Sequence, residues 1–261
     1  MAEVKITFDA ADDYERFMGR WSRAVGEKFL AWFNPAKGAS WLDVGCGTGA
    51  FSELIITRCA PASIAGLDPS SEQIDYVREL LPGHKFEVAD ATAMPFDDHT
   101  FDVVASALVI HLIPDRAKAF AEMKRVARPG GLVGGYTWKR TGNSDFAAYA
   151  PILRAAERVG GVALRSAIVP EGSIDGMRGS LQAAGFWDAE AVEIEVTQTY
   201  KSFDEYWEAQ TLPFSPSGKT VAKLDDAQRA KAIDLLRETL VAADGTITYS
   251  ATAIAGKARK P

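Results

Sequence analysis

The sequence is poor in cysteine, and it lacks both long apolar runs and an excess of basic residues. Only Cys46 and Cys59 occur among its 261 residues, so neither a disulfide framework nor the ligand spacing of a metal site is present. No segment approaches the ~18 uninterrupted apolar residues that a membrane-spanning helix needs. The formal net charge of −6 provides no basic footprint for a polyanion, which disfavours a nucleic-acid substrate.

These absences predict a cytoplasmic protein that is neither exported nor membrane-spanning. The basic segment of residues 257–260 is too short for a polyanion patch, so we expect it to be a solvated terminus. The length fits one large domain, or one domain with an inserted cap. We predict a single domain over 1–261, and the sequence does not indicate an oligomeric state.

What the chain does contain is a glycine-rich segment directly after an apolar run. Residues 41–44 read as a strand end, Gly45, Gly47 and Gly49 alternate after it, and an amphipathic stretch over 50–58 begins at once. Glycines allow the backbone to turn sharply and a ligand to approach it closely. The pattern predicts a strand, a glycine loop and a helix N-terminus; a tight turn without a ligand is the alternative.

An acid at the end of the next predicted strand narrows the choice of ligand. Asp68 follows the apolar run 63–67, nineteen residues after Gly49. A carboxylate there can accept hydrogen bonds from both ribose hydroxyls of an adenosine. The spacing of the glycines differs from the G-x-G-x-x-G that faces a pyrophosphate. We therefore expect an adenosyl ligand without phosphates.

Four motifs in this order resemble those of class I S-adenosylmethionine-dependent methyltransferases. They are residues 42–49, 66–70, 89–91 and 128–131, and the resemblance covers about 14–138. The chain is most similar to the small-molecule branch that includes the ubiquinone and menaquinone biosynthesis methyltransferases. The resemblance implies an enzyme that uses S-adenosyl-L-methionine to methylate a small, apolar or aromatic acceptor at oxygen, nitrogen or carbon.

Apolar runs interleaved with helical patterns predict the fold class, α/β, with a Rossmann-like, seven-stranded, mostly parallel sheet and helices on both faces. Strands are expected near 40–44, 63–67, 85–89, 101–107 and 132–138, and helices at 50–59, 71–81 and 115–127. The alternating segments 191–196 and 246–251 predict two further strands, of which the resemblance implies that one is antiparallel. A helical insertion lies between them, with an aromatic-rich helix near Phe203, a loop over 213–218 and a helix beginning at Asp225.

We divide the predicted domain into five segments. They are a helical preface over the cofactor (1–36), the cofactor-binding core (37–138), the rest of the sheet and helices (139–200), the insertion as a candidate lid (201–244), and the final strand and tail (245–261).

The resemblance assigns the amino-acid end of the cofactor to the glycine loop, here Gly45, Cys46 and Gly47. Asp43, just before the loop, can orient backbone N–H groups or meet the ammonium group of the cofactor; capping of the turn is the alternative. Asp68 is assigned to the ribose. Further residues expected beside the cofactor are Pro69 and Ser70 in the following turn, with Ser70 a natural helix N-cap, and Gln73.

The same resemblance places the adenine and the sulfonium at later strand ends. Asp90 is assigned to the adenine amino group, with Ala91 and Thr92 beside it, although a plain loop acid is the alternative. Ligands of open α/β sheets lie at strand C-termini, so Ser106, Ala107 and Leu108 are expected to flank the sulfonium. In the preface, Tyr14 and Arg20 are expected to cover the methyl donor and pair with its carboxylate; an amphipathic helix with core aromatics is the alternative.

His111 is the candidate catalytic base, because a neutral imidazole can take a proton from a hydroxyl nucleophile. A structural histidine at a helix start explains it equally well. The acceptor pocket is expected among aromatic residues, which ordinary packing also explains. They are Trp21, Trp138, Phe203, Tyr206, Trp207 and Phe214.

Methyl transfer from a sulfonium mainly requires alignment of the reacting atoms and exclusion of water, effects worth up to ~7–11 kcal/mol. The lack of paired carboxylates, a catalytic triad or a metal cluster agrees with such chemistry. Two alternatives stay open: methylation of RNA or protein, and a non-catalytic scaffold or sensor that binds S-adenosylmethionine. The negative charge and the missing Asn/Asp-Pro-Pro-aromatic tetrapeptide count against an RNA substrate.

Overall fold

The computed structural model describes residues 19–140, 149–164, 168–213 and 215–261, except for the side chain of Arg20. The chain divides into two compact units. The core unit comprises Ser22–Lys139, Val169–Ile194 and Ala253–Pro261. The second unit comprises the described residues of Met1–Trp21, Arg140–Ile168 and Glu195–Thr252.

Strands and helices alternate along the first half of the described chain. The strands are β1 (Ser40–Val44), β2 (Ser63–Asp68), β3 (Lys85–Val88), β4 (Phe101–Ala107), β5 (Ala127–Trp138), β6 (Trp187–Tyr200) and β7 (Ile247–Arg259). The α-helices are α1 (Arg20–Phe33), α2 (Ala50–Cys59), α3 (Ser71–Leu80), α4 (Arg116–Val126), α5 (Ala150–Arg158), α6 (Ile174–Ala183), α7 (Phe203–Gln210), α8 (Pro216–Val221) and α9 (Asp226–Leu240). Two short 3₁₀ turns lie at Ile110–Leu112 and Pro170–Gly172.

The seven strands form one sheet in the order β3-β2-β1-β4-β5-β7-β6. The first five strands pair in parallel, whereas β7 runs antiparallel to β5. Hydroxyl pairs Thr197–Ser250 and Thr199–Thr248 show that β7 also runs opposite to β6, because the residue numbers rise on one strand as they fall on the other. This confirms the predicted seven-stranded, mostly parallel sheet with one antiparallel strand. Helices α7 to α9 form the predicted insertion between the last two strands.

The central strand β1 explains why helices cover both faces of the sheet. Successive side chains of a strand point to opposite faces, and four of its five residues are buried. Leu42 and Val44 join a cluster with Phe120 of α4. On the other face, the ring of Trp41 lies 6.2 Å from that of Phe33 in α1. The strand therefore buries apolar side chains on both sides, as parallel sheets do.

The second unit has its own apolar core, formed by α5, α7, α8, α9 and the ends of β6 and β7. Side chains cap its helices: the Ser202 hydroxyl accepts from the Glu205 amide at 3.1 Å, and Asp225 forms a capping box with Gln228. The predicted aromatic helix and the helix at Asp225 are thus confirmed. The predicted loop over 213–218 is wrong in its second half, because Ser215 caps a short helix that begins at Pro216.

The end of the chain also differs from the prediction. The segment 257–260 is not a solvated tail, since β7 continues to Arg259 and Lys260 is only 8% exposed. The Lys260 ammonium donates to the carbonyl oxygens of Ala127 at 2.8 Å and Arg125 at 3.2 Å, and it lies 2.8 Å from Nδ1 of His99. Ala258 lies between Lys257 and Arg259 on the strand and packs into the sheet, which the count of charges did not indicate.

Candidate cofactor site

The glycine loop connects β1 to α2 within the core unit. Gly45, Gly47 and Gly49 all adopt positive φ, at 75°, 54° and 91°, a region that favours glycine. The amides of Gly45 and Cys46 both donate to the carbonyl oxygen of Leu67, which anchors the loop on the end of β2. A Cβ on Gly45 would lie 2.4 Å from Cγ1 of Val109. Backbone conformation and close packing therefore both require glycine there.

Asp68 at the end of β2 joins this loop to the next one. Its Oδ2 accepts from the Gly47 amide at 3.2 Å, and its Oδ1 accepts from the Ser70 amide at 2.9 Å. Burial raises the pKa of the Asp68 carboxyl, and these two hydrogen bonds oppose the shift. The Ser70 hydroxyl accepts from the Gln73 amide at 3.3 Å, which confirms the predicted N-cap of α3.

Asp43 is a fully buried carboxylate one strand away. Its Oδ2 accepts from the Ser52 hydroxyl of α2 at 2.7 Å, while Oδ1 has no hydrogen-bond partner among the described residues. Burial, aided by the negative charge of Asp68, raises the pKa of Asp43 to about 7, and the bond from Ser52 opposes this. A buried carboxylate oxygen without a donor fits an ammonium group of a ligand. In the described part of the chain, neither oxygen caps the turn through a backbone amide.

The loop after β3 lies beside Asp68, because the Ala89 amide donates to the Asp68 carbonyl oxygen at 3.1 Å. Asp90 is exposed, and its Oδ1 accepts from both the amide and the hydroxyl of Thr92 at 2.7 Å. These bonds lower the pKa of Asp90. The carboxylate is thus held in an Asx turn and stays ionised, so that both of its oxygens act as acceptors only.

The end of β4 is joined to the end of β1 by a buried side chain. The Ser106 hydroxyl donates to the Val44 carbonyl oxygen at 2.9 Å. Two residues later, Leu108 has φ 58°, a conformation that costs a residue with a bulky side chain roughly 1–3 kcal/mol. Its amide donates to the Tyr136 carbonyl oxygen of β5 at 2.8 Å. The strained turn brings Val109 over Gly45, so that β1, β4 and the glycine loop are packed at one edge of the sheet.

His111 lies in the 3₁₀ turn that follows this strained residue. Its Nδ1 is 2.9 Å from the hydroxyl of Thr137, a buried residue of β5. This contact orients the imidazole, so a proton transfer by His111 would use Nε2. A base and a structural histidine both need such an anchor, and both interpretations of His111 therefore stay open.

Several contributors to this site carry no signal in the sequence. Ser52 and Thr137 are the partners of Asp43 and His111, but only the packing of α2 and β5 reveals this. Behind the His111 turn, Glu171 is buried and pairs with Arg116 at 3.2 Å, and its other oxygen accepts from the Ser180 hydroxyl. The Arg116 guanidinium also donates to the Ile113 carbonyl oxygen, which ties this pair to the turn.

The core unit brings most predicted cofactor residues to the carboxyl ends of its strands. Cys46 is buried in the loop, and burial raises the pKa of its thiol well above the ordinary value, so it packs as an apolar residue. The side-chain oxygen of Gln73 lies against Gly47. Tyr14, Phe214 and the side chain of Arg20 lie outside the described residues. Trp138 belongs to the core unit, whereas Trp21, Phe203, Tyr206 and Trp207 belong to the second unit.

None of the helices in the described part of the chain combines the length and apolarity of a membrane-crossing segment. The described residues also contain no group of three or more His, Cys, Asp or Glu side chains placed to hold a metal ion.

Part of the chain, including the glycine loop and Asp68, is similar to known proteins. Residues 42–134 match the family model described as a methyltransferase domain. A malonyl-[acyl-carrier protein] O-methyltransferase of Pectobacterium atrosepticum is 34% identical over 124 residues, 48% of each chain. A phthiotriol/phenolphthiotriol dimycocerosates methyltransferase of Mycobacterium leprae is 39% identical over 92 residues, 34% of each chain. The matches thus cover about half or less of the length of these relatives.

Solved structures share the fold over a longer stretch. A phosphoethanolamine N-methyltransferase 2 of Haemonchus contortus, in complex with S-adenosyl-L-methionine, has a TM-score of 0.59 at 18% identity, over 100% of this chain and 60% of that one. The [4+2]-cyclase SpnF has a TM-score of 0.52 at 22% identity, over 93% and 81%. The family match and the relatives confirm the resemblance over part of the chain: residues 42–134 match a methyltransferase domain.

Proposed function

We propose that this chain is an enzyme that transfers the methyl group of S-adenosylmethionine to a small acceptor at oxygen, nitrogen or carbon. The observation that carries the proposal is the buried Asp43 carboxylate at the glycine loop, with one oxygen lacking a donor among the described residues. Leaving a buried acceptor unpaired costs roughly 1–3 kcal/mol, and more when the group is charged. The ammonium group of the cofactor would remove this cost.

The other cofactor residues follow from the same site. The backbone of Gly45 to Gly47 would bind the amino-acid end. Asp68 already accepts two amide bonds, but a carboxylate has about four acceptor positions, which leaves room for two ribose hydroxyls. Asp90 and the backbone beside it would bind the adenine, and Ser106 to Leu108 would border the sulfonium.

When bound, S-adenosylmethionine supplies a methyl group that is already activated by the positive charge on sulfur. The chain has to hold the cofactor, align the acceptor and exclude water. His111 is the residue that we propose to accept a proton from a hydroxyl acceptor, with Thr137 fixing the imidazole.

The relatives support a small acceptor, either free or attached to a carrier. One relative is named for an acyl-carrier protein and another for phthiotriol dimycocerosates. The net charge of −6 disfavours an RNA acceptor. Because a cyclase shares the fold, only a transfer assay distinguishes a methyltransferase from a scaffold that merely binds the cofactor.

The proposal is tested with cofactor labelled on its methyl group. The purified chain is incubated with labelled S-adenosylmethionine and a set of phenols, quinols, amines, carboxylic acids and acyl-carrier-protein thioesters. We expect labelled product from at least one class, and Asp43→Asn to abolish its formation while the control Asp97→Asn, at an exposed position, does not. Tight binding without transfer to any acceptor would support a scaffold instead, and absence of binding would refute the proposal.

A further inference from the structure

Three tyrosines and a glutamine meet inside the second unit. Tyr200 ends β6, Tyr249 lies on β7, and Tyr206 lies on α7; each pair of rings has centroids within 6.1 Å. Gln210, one turn after Tyr206 on the same face of α7, donates through Nε2 to the Tyr200 hydroxyl at 3.0 Å. The cluster is walled by aromatic rings, with the ring of Trp21 5.3 Å from that of Tyr249.

Two polar atoms of this tyrosine cluster are buried without a partner. Tyr206 and Gln210 are both 0% exposed, yet neither the Tyr206 hydroxyl nor Oε1 of Gln210 forms a hydrogen bond within the described part of the chain. At least about 90% of buried polar groups in native proteins are paired. Two neighbouring exceptions on one helix face therefore leave a donor and an acceptor unpaired within the described part of the chain.

The pair of unpartnered atoms defines the chemistry that a ligand would need. The amide oxygen can only accept a hydrogen bond, and a phenol can donate one. A hydroxyl group is the simplest complement, because it can donate to the amide oxygen of Gln210 and can also accept from the phenol of Tyr206. The surrounding rings favour an aromatic or apolar body for the rest of the molecule.

The surroundings also disfavour an anion. Burial raises the pKa of both Tyr206 and Tyr249, which shows that the site penalises negative charge, although the charge of Arg154 partly offsets this at Tyr206. A carboxylate would in addition face the amide oxygen of Gln210. An uncharged hydroxyl avoids both penalties.

We propose that the second unit binds a neutral, hydroxyl-bearing aromatic or apolar molecule through the Tyr206 hydroxyl and the Gln210 side-chain oxygen. The inference that this molecule is the methyl acceptor rests on the proposed function. The inference that the second unit binds it does not. Tyr206 is among the aromatics expected at the acceptor pocket, but Gln210, Tyr200 and Tyr249 add the polar specificity.

The test uses matched ligands and the full-length chain. Binding of 2-naphthol, naphthalene and 2-naphthoate, and of cyclohexanol and cyclohexane, is measured at pH 7 without cofactor. We expect the hydroxyl to increase affinity about tenfold in at least one pair, since two hydrogen bonds are formed, and the carboxylate to bind more weakly than 2-naphthol. Tyr206→Phe and Gln210→Met should each reduce this advantage severalfold and leave binding of the hydrocarbon unchanged.

Stability provides a second readout, since a hydroxyl without a partner contributes nothing in the free protein. Tyr206→Phe should keep or raise the Tm of the ligand-free chain, and Tyr76→Phe, at an exposed position, serves as the control. A fall of several degrees in Tm for Tyr206→Phe would show that the hydroxyl is satisfied within the protein and would overturn the inference. Equal affinity for hydroxyl and hydrocarbon in every pair, or preference for the carboxylate, would overturn it as well.

Cofactor binding is measured on the same preparations. If S-adenosylmethionine fails to bind while the hydroxyl preference and its loss in Tyr206→Phe are observed, the proposed function fails and this inference stands. If the cofactor binds and is turned over, but no ligand gains from its hydroxyl, the reverse holds.

Discussion

At the scale of single residues, the protonation of Asp43 couples the fold to the ligand. Its pKa rises from 3.8 to about 7 in the folded chain. Between these values the folded protein keeps a proton that the unfolded chain has lost, so stability falls as pH rises through this window. The shift corresponds to at most roughly 4 kcal/mol. Burial of Asp68 acts in the same direction.

We therefore expect cofactor affinity to depend on the ionisation of Asp43. A cationic ammonium binds the ionised carboxylate, so the affinity for S-adenosylmethionine should fall about tenfold for each pH unit below 7. Calorimetry at pH 6.5 in buffers of different ionisation enthalpy should detect release of a proton on binding. Asp43→Asn should bind weakly at every pH and be more stable than the wild type at pH 8. A pH-independent affinity in the wild type would contradict this assignment.

The role of His111 is decided by a comparison of two variants. If His111 is the base for a hydroxyl acceptor, His111→Gln should lower kcat by about 10²-fold to 10⁴-fold and remove the acidic limb of the pH profile. Thr137→Val should retain this limb with a smaller loss, because it only frees the imidazole. Cofactor affinity should be unchanged in both. A variant that keeps its kcat but loses several degrees in Tm would identify a structural histidine.

Many residues of the candidate site could be predicted from the sequence, because acids and glycines at strand ends are typical of ligand-binding loops in α/β folds. Asp43, Asp68 and the glycines were predicted from position alone, and the structure places them together. Ser52, Thr137 and the strained Leu108 were not, since a serine, a threonine or a leucine gives no sign of which neighbour it will contact. The unpaired atoms of Tyr206 and Gln210 likewise depend on the packing of α7.

At the scale of elements, two separate requirements favour glycine at position 45 of the glycine loop: backbone conformation and space. Gly45 adopts a positive φ, and the side chain of Val109 occupies the space that a Cβ at this position would need. Gly83 has a similar φ of 88°, but a Cβ added there would have none of the described atoms within 4 Å. The two positions therefore separate conformational strain from steric exclusion.

Gly83→Ala should destabilise the chain by about 1–2 kcal/mol, the cost of a left-handed conformation. Gly45→Ala should cost about 1–3 kcal/mol more, because Val109 must also move. Urea unfolding of both variants measures the difference. Gly45→Ala should in addition lose cofactor binding, whereas Gly83→Ala should keep it. Equal destabilisation would mean that the loop adapts to a side chain.

The bounds of an element were predicted well where the sequence contains a clear helix N-cap, and less well elsewhere. The caps at Ser70 and Asp225 identified two helix starts correctly. The short helix at Pro216 was mistaken for a loop because its proline, serine and glycine are typical of turns. Strands β6 and β7 extend beyond the predicted segments. In β7 the alternation of apolar and polar residues weakens where alanine and glycine residues pair with β5.

At the scale of the whole molecule, the last strand is held in the sheet by the buried Lys260 ammonium. Lys260→Met keeps an unbranched side chain one atom shorter than lysine but leaves the carbonyl oxygens of Arg125 and Ala127 without this donor. We expect a loss of about 1–3 kcal/mol in the free energy of unfolding. Lys37→Met, at an exposed position, is the matched control. Unchanged stability would show that water replaces the ammonium at no cost.

The position of β7 has a consequence for how this protein is made. β7 follows β6 in the chain but lies between β5 and β6 in the sheet. During synthesis, β5 and β6 leave the ribosome before β7, so β6 has no neighbouring strand to pair with until β7 has been made. Until β7 inserts, β5 presents a bare hydrogen-bonding edge that invites association with other chains. Translation that stalls shortly before β7 should therefore yield aggregation-prone fragments rather than a smaller working protein.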